Sequence, residues 1–232
     1  MLTFMKEARK KYLKVQNKIK QILNLEYYKE PLDNLLKKVI LPFLEDKIDM
    51  YDTKFNPNTI RPQNSLDRCS YEVYKEKKEE QDHIASTITS IDPSLSNHIN
   101  RNDDIRYNFT LPLTQIEISL KSKIKQKFNV DKKLTISNNL GCYTKIENYN
   151  GYMGWHTNSN NPGKRWYFIY NTDDNSSFMR FINPKNEKMT TQYEPKGWSL
   201  NHFEIGNRKN PLWHCLYTKT QRFSIGITES KN

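Results

Sequence analysis

Glycine is missing from the first 140 residues of this 232-residue chain, and all seven glycines lie beyond that point, together with all four tryptophans. Glycine supplies the positive-φ turns that short strands need and is costly inside helices, so its absence argues against a strand-and-turn architecture in the first part. Cysteine is scarce as well. Cys69, Cys142 and Cys215 are an odd number without CxxC spacing, which excludes a zinc knuckle or a disulfide framework and fits a reducing compartment. A cytoplasmic location is therefore expected. No run approaches the roughly 20 apolar residues that span a bilayer, and the first residues lack an apolar segment with a small-residue cleavage site. Neither a membrane partner nor a secretory leader is expected, and no internal repeat or low-complexity tract is present.

What is there is polar but aromatic. Hydrophobic residues make up 35%, charged residues 27% and aromatic residues 12% of the chain, too many rings for a disordered protein. The formal net charge of +11 draws polyanions through nonspecific attraction, which keeps nucleic acid among the candidate partners. The bias toward Lys, Asn and Ile is also what a low-GC genome imposes on any protein. Lys6, Arg9, Lys10, Lys11, Lys14, Lys18 and Lys20 crowd one segment, where a solvated helix face is the simpler explanation.

Met5, Ala8, Tyr12, Val15, Ile19 and Ile22 recur at three- and four-residue steps and predict an amphipathic helix. A second apolar face runs through Leu32, Leu35, Val39, Phe43 and Ile48, with Pro42 expected to kink or break it. Residues 54–67 read as a long loop, 71–89 as a charged helix and 92–104 as loop around Pro93. Ile116, Leu120, Ile124 and Phe128 predict a third amphipathic helix. Then the period changes. Leu134–Ile136, Cys142–Tyr149, Arg165–Tyr170, Phe178–Ile182, Trp198–Phe203 and Arg222–Thr228 are short β-type runs parted by turn residues, as in an antiparallel sandwich or barrel.

Within that β region stand Gly154-Trp155-His156-Thr157-Asn158, Trp213-His214 and Arg222-Phe223-Ser224. Two imidazoles with a short oxygen-bearing side chain two residues from the first can occupy one face of an octahedral iron and leave positions open. A lone histidine beside tryptophan is more often packed than ligating, and His83, His98 and His202 have no comparable setting.

This constellation resembles the iron(II)/2-oxoglutarate-dependent oxygenases of the prolyl-hydroxylase-like branch, over roughly residues 134–228. The family pattern is His-x-Asp, a distal His, and Arg-x-Ser or Arg-x-Thr; His156, Asn158, His214, Arg222 and Ser224 match it except at Asn158. The stretch from His156 to Arg165 through Asn161-Pro162-Gly163 is similar to the family's loop after the first ligand, and Phe178-Met179-Arg180-Phe181 to the strand leading into its variable turn.

The resemblance implies an α+β fold with a mainly β core: a double-stranded β-helix (jelly roll) spanning 131–232, buttressed by an N-terminal helical region, 1–130, as one structural domain. It implies Fe(II) on His156, Asn158 and His214. It also implies 2-oxoglutarate clamped by Arg222 and Ser224, with Tyr170 or Tyr149 adding a hydrogen bond, since a planar two-pronged cation suits a carboxylate. Dioxygen would be consumed, ascorbate is a candidate auxiliary, and no side chain is assigned as a catalytic acid or base. The expected reaction is hydroxylation of an aliphatic C–H, peptidyl by first preference, with 2-oxoglutarate decarboxylated to succinate. Trp155, Arg165 and Trp213 are the expected substrate-pocket residues, against the plainer expectation that most of the tryptophans are core. Asn158 leaves three readings open: a weaker but working iron site, a third position taken by water, chloride or a carboxylate such as Glu147 or Asp173, or a pseudo-oxygenase that binds nucleic acid or protein. Oxidation of a nucleobase is a further alternative.

Overall fold

The computed structural model describes residues 25–45, 53–55, 66–87, 104–105, 107–110, 114–136, 139–143, 150–159 and 161–229. The helix expected over Met5–Ile22, most of the two expected loops, and Ile48, His98, Glu147 and Tyr149 lie outside the described residues. The chain divides into two compact units, 1–47 with 113–131, and 48–112 with 132–232.

The first unit is helical. Helix α1 (Lys29–Leu35) passes through a π-helical turn (Leu36–Ile40) into α2 (Leu41–Leu44). Pro42 has no N–H to return to the preceding turn, and its ring crowds the carbonyl four residues back, so the ladder widens where a kink was expected. Leu32, Leu35, Val39 and Ile40 are buried, and α1 packs against a long helix, Thr114–Phe128, whose Ile116, Leu120 and Ile124 are buried in turn. The four-residue apolar spacing read from the sequence is the stripe this helix buries.

The second unit is mostly antiparallel β-sheet, a jelly-roll-like sandwich. The larger sheet contains β1 (Thr53–Phe55), β3 (Tyr107–Thr110), β4 (Leu134–Ile136), β5 (Asn139–Tyr143), β7 (Gly163–Asn171), β10 (Gly197–Ile205) and β12 (Arg222–Glu229), in the order β1-β3-β5-β12-β7-β10, with β4 also on β12. The smaller sheet has the order β2-β6-β11-β8-β9, from β2 (Asp104–Ile105), β6 (Gly151–His156), β8 (Ser177–Ile182), β9 (Met189–Glu194) and β11 (His214–Thr218). From β5 to β8, and again from β9 to β12, successive strands alternate between the two sheets. Strands β1–β3 fall in the stretch that its lack of glycine marked as helical; two to four residues are too short for their composition to show a period.

The two inner faces are marked by contacts across the sandwich. Asn201 of β10 reaches Met179 and Gln192 of the smaller sheet, Tyr143 of β5 donates to Met153 Sδ, and the Phe203 ring meets Phe181 and His214. The opposite face of the smaller sheet carries an aromatic core of Tyr152, Trp155, Phe178, Ile182, Trp213, Cys215 and Tyr217 with Cys69 and Tyr74. Cys69 belongs to a 3-10 turn (Asp67–Cys69) that leads into helix α3 (Tyr71–Thr87), whose start is capped by Ser70 Oγ accepting from Val73 N at 3.3 Å. Cys69, Cys142 and Cys215 are free and buried. Among the described residues no helix is long and apolar enough to cross a membrane.

Candidate functional site

His156 ends β6, His214 begins β11, and the two are directly opposed in the antiparallel register. A bulge makes this so. Met153 pairs with Leu216 and His156 with His214, so Gly154 and Trp155 together face Cys215 alone. The extra residue turns Trp155 outward into the aromatic core and His156 inward beside His214. Without it, strict alternation would place His156 on the face of Tyr152, under α3.

The ring centroids of His156 and His214 are 4.1 Å apart, and both residues are buried, at 6% and 2% exposure. His156 Nδ1 lies 2.7 Å from Gly154 O, and His214 Nδ1 3.0 Å from Leu212 O. Each Nδ1–H therefore donates to a backbone carbonyl, and the His214 Nε2 is left as a lone-pair acceptor, the tautomer that metal-binding histidines adopt. Burial lowers the His214 pKa to about 4, against the Leu212 carbonyl and with help from the Arg165 charge, so this imidazole is neutral at pH 7.

Asn158 completes the cluster from the loop after β6. Its Nδ2 lies 3.3 Å from His214 Nε2, and its φ of 52° is a left-handed conformation that asparagine tolerates better than most side chains. Backbone geometry thus adds its own reason for a short polar residue at this position. Among the described residues no group of three His, Cys, Asp or Glu side chains stands together, so a metal here rests on two imidazoles and the Asn158 amide oxygen. Asp173, weighed as a third ligand, is exposed in the turn after β7, on the side where Thr172 N meets Gln221 O before β12 begins. That is the far end of the sheet from His156.

Arg222 opens β12 on the inner face, paired with Tyr143 and Asn171. It does not stand free. Its Nε and Nη2 donate to Glu194 Oε2 and Oε1, each at 2.7 Å, and the pair is 2% and 1% exposed. Burial alone would favour losing the proton, but Glu194 outweighs it and holds the guanidinium charged. Among the described residues, Arg222 Nη1 is buried without a hydrogen-bond partner, and so is Ser199 Oγ. Ser224 and Ser199 flank Ile169 in one cross-strand row, next to the row of Arg222 and Asn171. The inner face of the larger sheet is therefore lined with polar donors that have spare capacity.

Tyr170, expected beside Arg222, lies on the other face: it pairs with Phe223, and its ring meets Trp198 at 5.2 Å and Phe223 at 6.5 Å. The strand period of two puts neighbours of Phe223 opposite those of Arg222 and Ser224. Tyr143, 5.6 Å under the Arg222 guanidinium, and Tyr167, whose ring packs on Gly226, are the tyrosines of the inner face. Trp155 and Trp213, expected to line a substrate pocket, are core instead, ringed by Tyr74 at 5.6 and 5.7 Å, with Trp155 Nε1 donating to Ser70 O. Arg165 of β7 is inward, paired directly with Phe203 of β10, and donates to the carbonyls of Lys164 and Asn161. Its burial lowers its pKa. Glu194, Ser199, Tyr143 and Tyr167 were not foreseen. None of them carries a local sequence signal, because their roles come from pairing between strands.

No protein-family model matches the chain, and no curated protein matches it in sequence. Among solved structures it is similar to Drosophila melanogaster CENP-C bound to CAL1, at 6% identity and a TM-score of 0.28 over 55% of this chain and 74% of that one. It is also similar to a Pseudomonas putida prolyl-4-hydroxylase, at 11% identity and a TM-score of 0.40 over 81% of this chain and 96% of that one.

Proposed function

We propose that this chain is an Fe(II)- and 2-oxoglutarate-dependent oxygenase on a double-stranded β-helix, hydroxylating an aliphatic C–H of a peptidyl substrate. The observation that carries the reading is the register-opposed histidine pair, each Nδ1 held by its own backbone. The alternation of strands between the sheets and the resemblance of the His156, His214 and Arg222-x-Ser224 pattern support it.

The residues fit both groups. Neutral imidazoles suit Fe(II), and turning the Asn158 amide about its last bond offers the metal an oxygen in place of the nitrogen now near His214. The unpartnered Arg222 Nη1 and Ser199 Oγ suit a carboxylate on the inner face. A metal and keto acid bound there would, with dioxygen as the oxidant, supply hydroxylation of an unactivated C–H, the keto acid leaving as succinate and carbon dioxide. The chain's share is orientation and exclusion of water. β6 and β11 set the spacing of the imidazoles, the ion pair with Glu194 fixes the Arg222 guanidinium, and Phe181 and Phe203 keep the histidine side of the interior apolar. Arg165, inward and without an ion pair among the described residues, is a cation facing substrate on this reading.

Anaerobic titration calorimetry with Mn(II) or Fe(II), then 2-oxoglutarate, tests the proposal: metal-dependent binding of the keto acid is expected, and its absence at every metal loading sinks the oxygenase. Succinate release against peptide and oligonucleotide libraries then decides the substrate class, and turnover of oligonucleotides alone would reverse the order given. A second reading, a metal-free barrel kept as a binding module, is favoured by Asn158 in place of a carboxylate and predicts no binding of either metal.

A further inference from the structure

The Arg222 guanidinium presents a two-pronged edge, Nε with Nη2, and that edge is spent inside the protein. Glu194 accepts from both nitrogens at 2.7 Å, and its carboxylate also accepts from Ser177 Oγ at 2.7 Å and Asn201 Nδ2 at 3.4 Å. Strands β8, β9, β10 and β12 all contribute to this one buried carboxylate, so it is anchored from both sheets. A fork-to-fork pair is the geometry in which a ligand carboxylate would dock on arginine. What remains for a ligand is Nη1, buried and without a partner, with Ser199 Oγ in the same condition on the same face. Burial of a donor without a partner is costly, so Nη1 is the part of this guanidinium that an incoming acceptor would satisfy.

We propose that Glu194 sets the affinity of this site for the co-substrate. It occupies the two-pronged edge of Arg222, leaves a single nitrogen for the incoming carboxylate, and opposes that carboxylate's charge across the guanidinium. The inference rests on the reading that Arg222 receives 2-oxoglutarate, and it makes the site a weak, one-pronged clamp whose strength is limited from within the chain.

The experiment is titration of the full-length, Mn(II)-loaded protein with 2-oxoglutarate under nitrogen, comparing wild type with Glu194→Gln, and recording Mn(II) affinity separately. The amide keeps an acceptor for Arg222 while removing the opposing charge, so 2-oxoglutarate should bind about tenfold tighter, 1.4 kcal/mol, with Mn(II) affinity unchanged. Unchanged or weaker binding overturns the inference and leaves the oxygenase standing. Binding by neither protein overturns both, and binding by the Gln variant alone supports the inference. Should Glu194→Gln fail to fold, the wild type still decides. A one-pronged contact predicts that 2-oxoglutarate outbinds 2-oxopentanoate, which lacks the distal carboxylate, by less than about tenfold, whereas a full clamp separates them by several orders of magnitude.

Discussion

At the residue scale, Asn158 is where the chain departs from a carboxylate-bearing metal site, and its left-handed backbone accepts Asp as readily as Asn. Asn158→Asp is expected to tighten Mn(II) binding by about tenfold or more, on the scale at which metal sites respond to their near shell. His214→Ala should abolish it; competition against a fluorescent chelator measures both. His214 also links stability to pH. Its folded pKa of about 4 lies below the ordinary histidine value, so between about pH 6.5 and 4 the unfolded chain takes up a proton that the folded one refuses. The stabilisation is complete above that window and falls with acidification, by about 2 kcal/mol at pH 5 in the metal-free protein. Urea unfolding at pH 7 and pH 5 should show this loss in the wild type and not in His214→Gln.

At the element scale, the single extra residue in β6 separates a tryptophan for the core from a histidine for the site. Trp155→Ala should therefore cost about 3–5 kcal/mol in urea unfolding while leaving Mn(II) affinity intact; a parallel loss of metal would mean that Trp155 also serves the site. The same bulge shows what the sequence could and could not reveal. Strands β4, β7, β8, β10 and β12 were readable because β-branched and aromatic runs end at turn residues. Strand β11 (His214–Thr218) was not, since all five residues are buried and no alternation shows. Strand β9 (Met189–Glu194) was hidden for the opposite reason, as an exposed, polar edge. The histidines and Arg222 were singled out by the resemblance of their motifs to a family pattern, but the faces of Tyr170, Trp155 and Trp213 depend on register and bulge, which no local pattern encodes. Glu194 escaped notice because an ion pair between β9 and β12 is a tertiary fact.

At the scale of the whole molecule, the +11 charge predicts weak, sequence-independent association with polyanions. Oligonucleotide binding measured by anisotropy should fall by orders of magnitude between 50 and 200 mM salt, the mark of counterion release; affinity that survives salt would instead point to a shaped nucleic-acid site, on the order of the contacts such sites make. The alternation of strands between two sheets has a kinetic consequence. Tyr143 must find Arg222, and His156 must find His214, only after most of the intervening chain has been made and placed. Pairings so distant along the chain fold slowly, in milliseconds to seconds, because loop closure precedes its reward. On the proposed iron reading the metal does not seed that search, since His214 joins His156 and Asn158 only when β11 pairs with β6. On that reading, added Mn(II) should slow unfolding in stopped-flow tryptophan fluorescence and leave the refolding rate untouched, the ion acting as a latch on a finished sandwich.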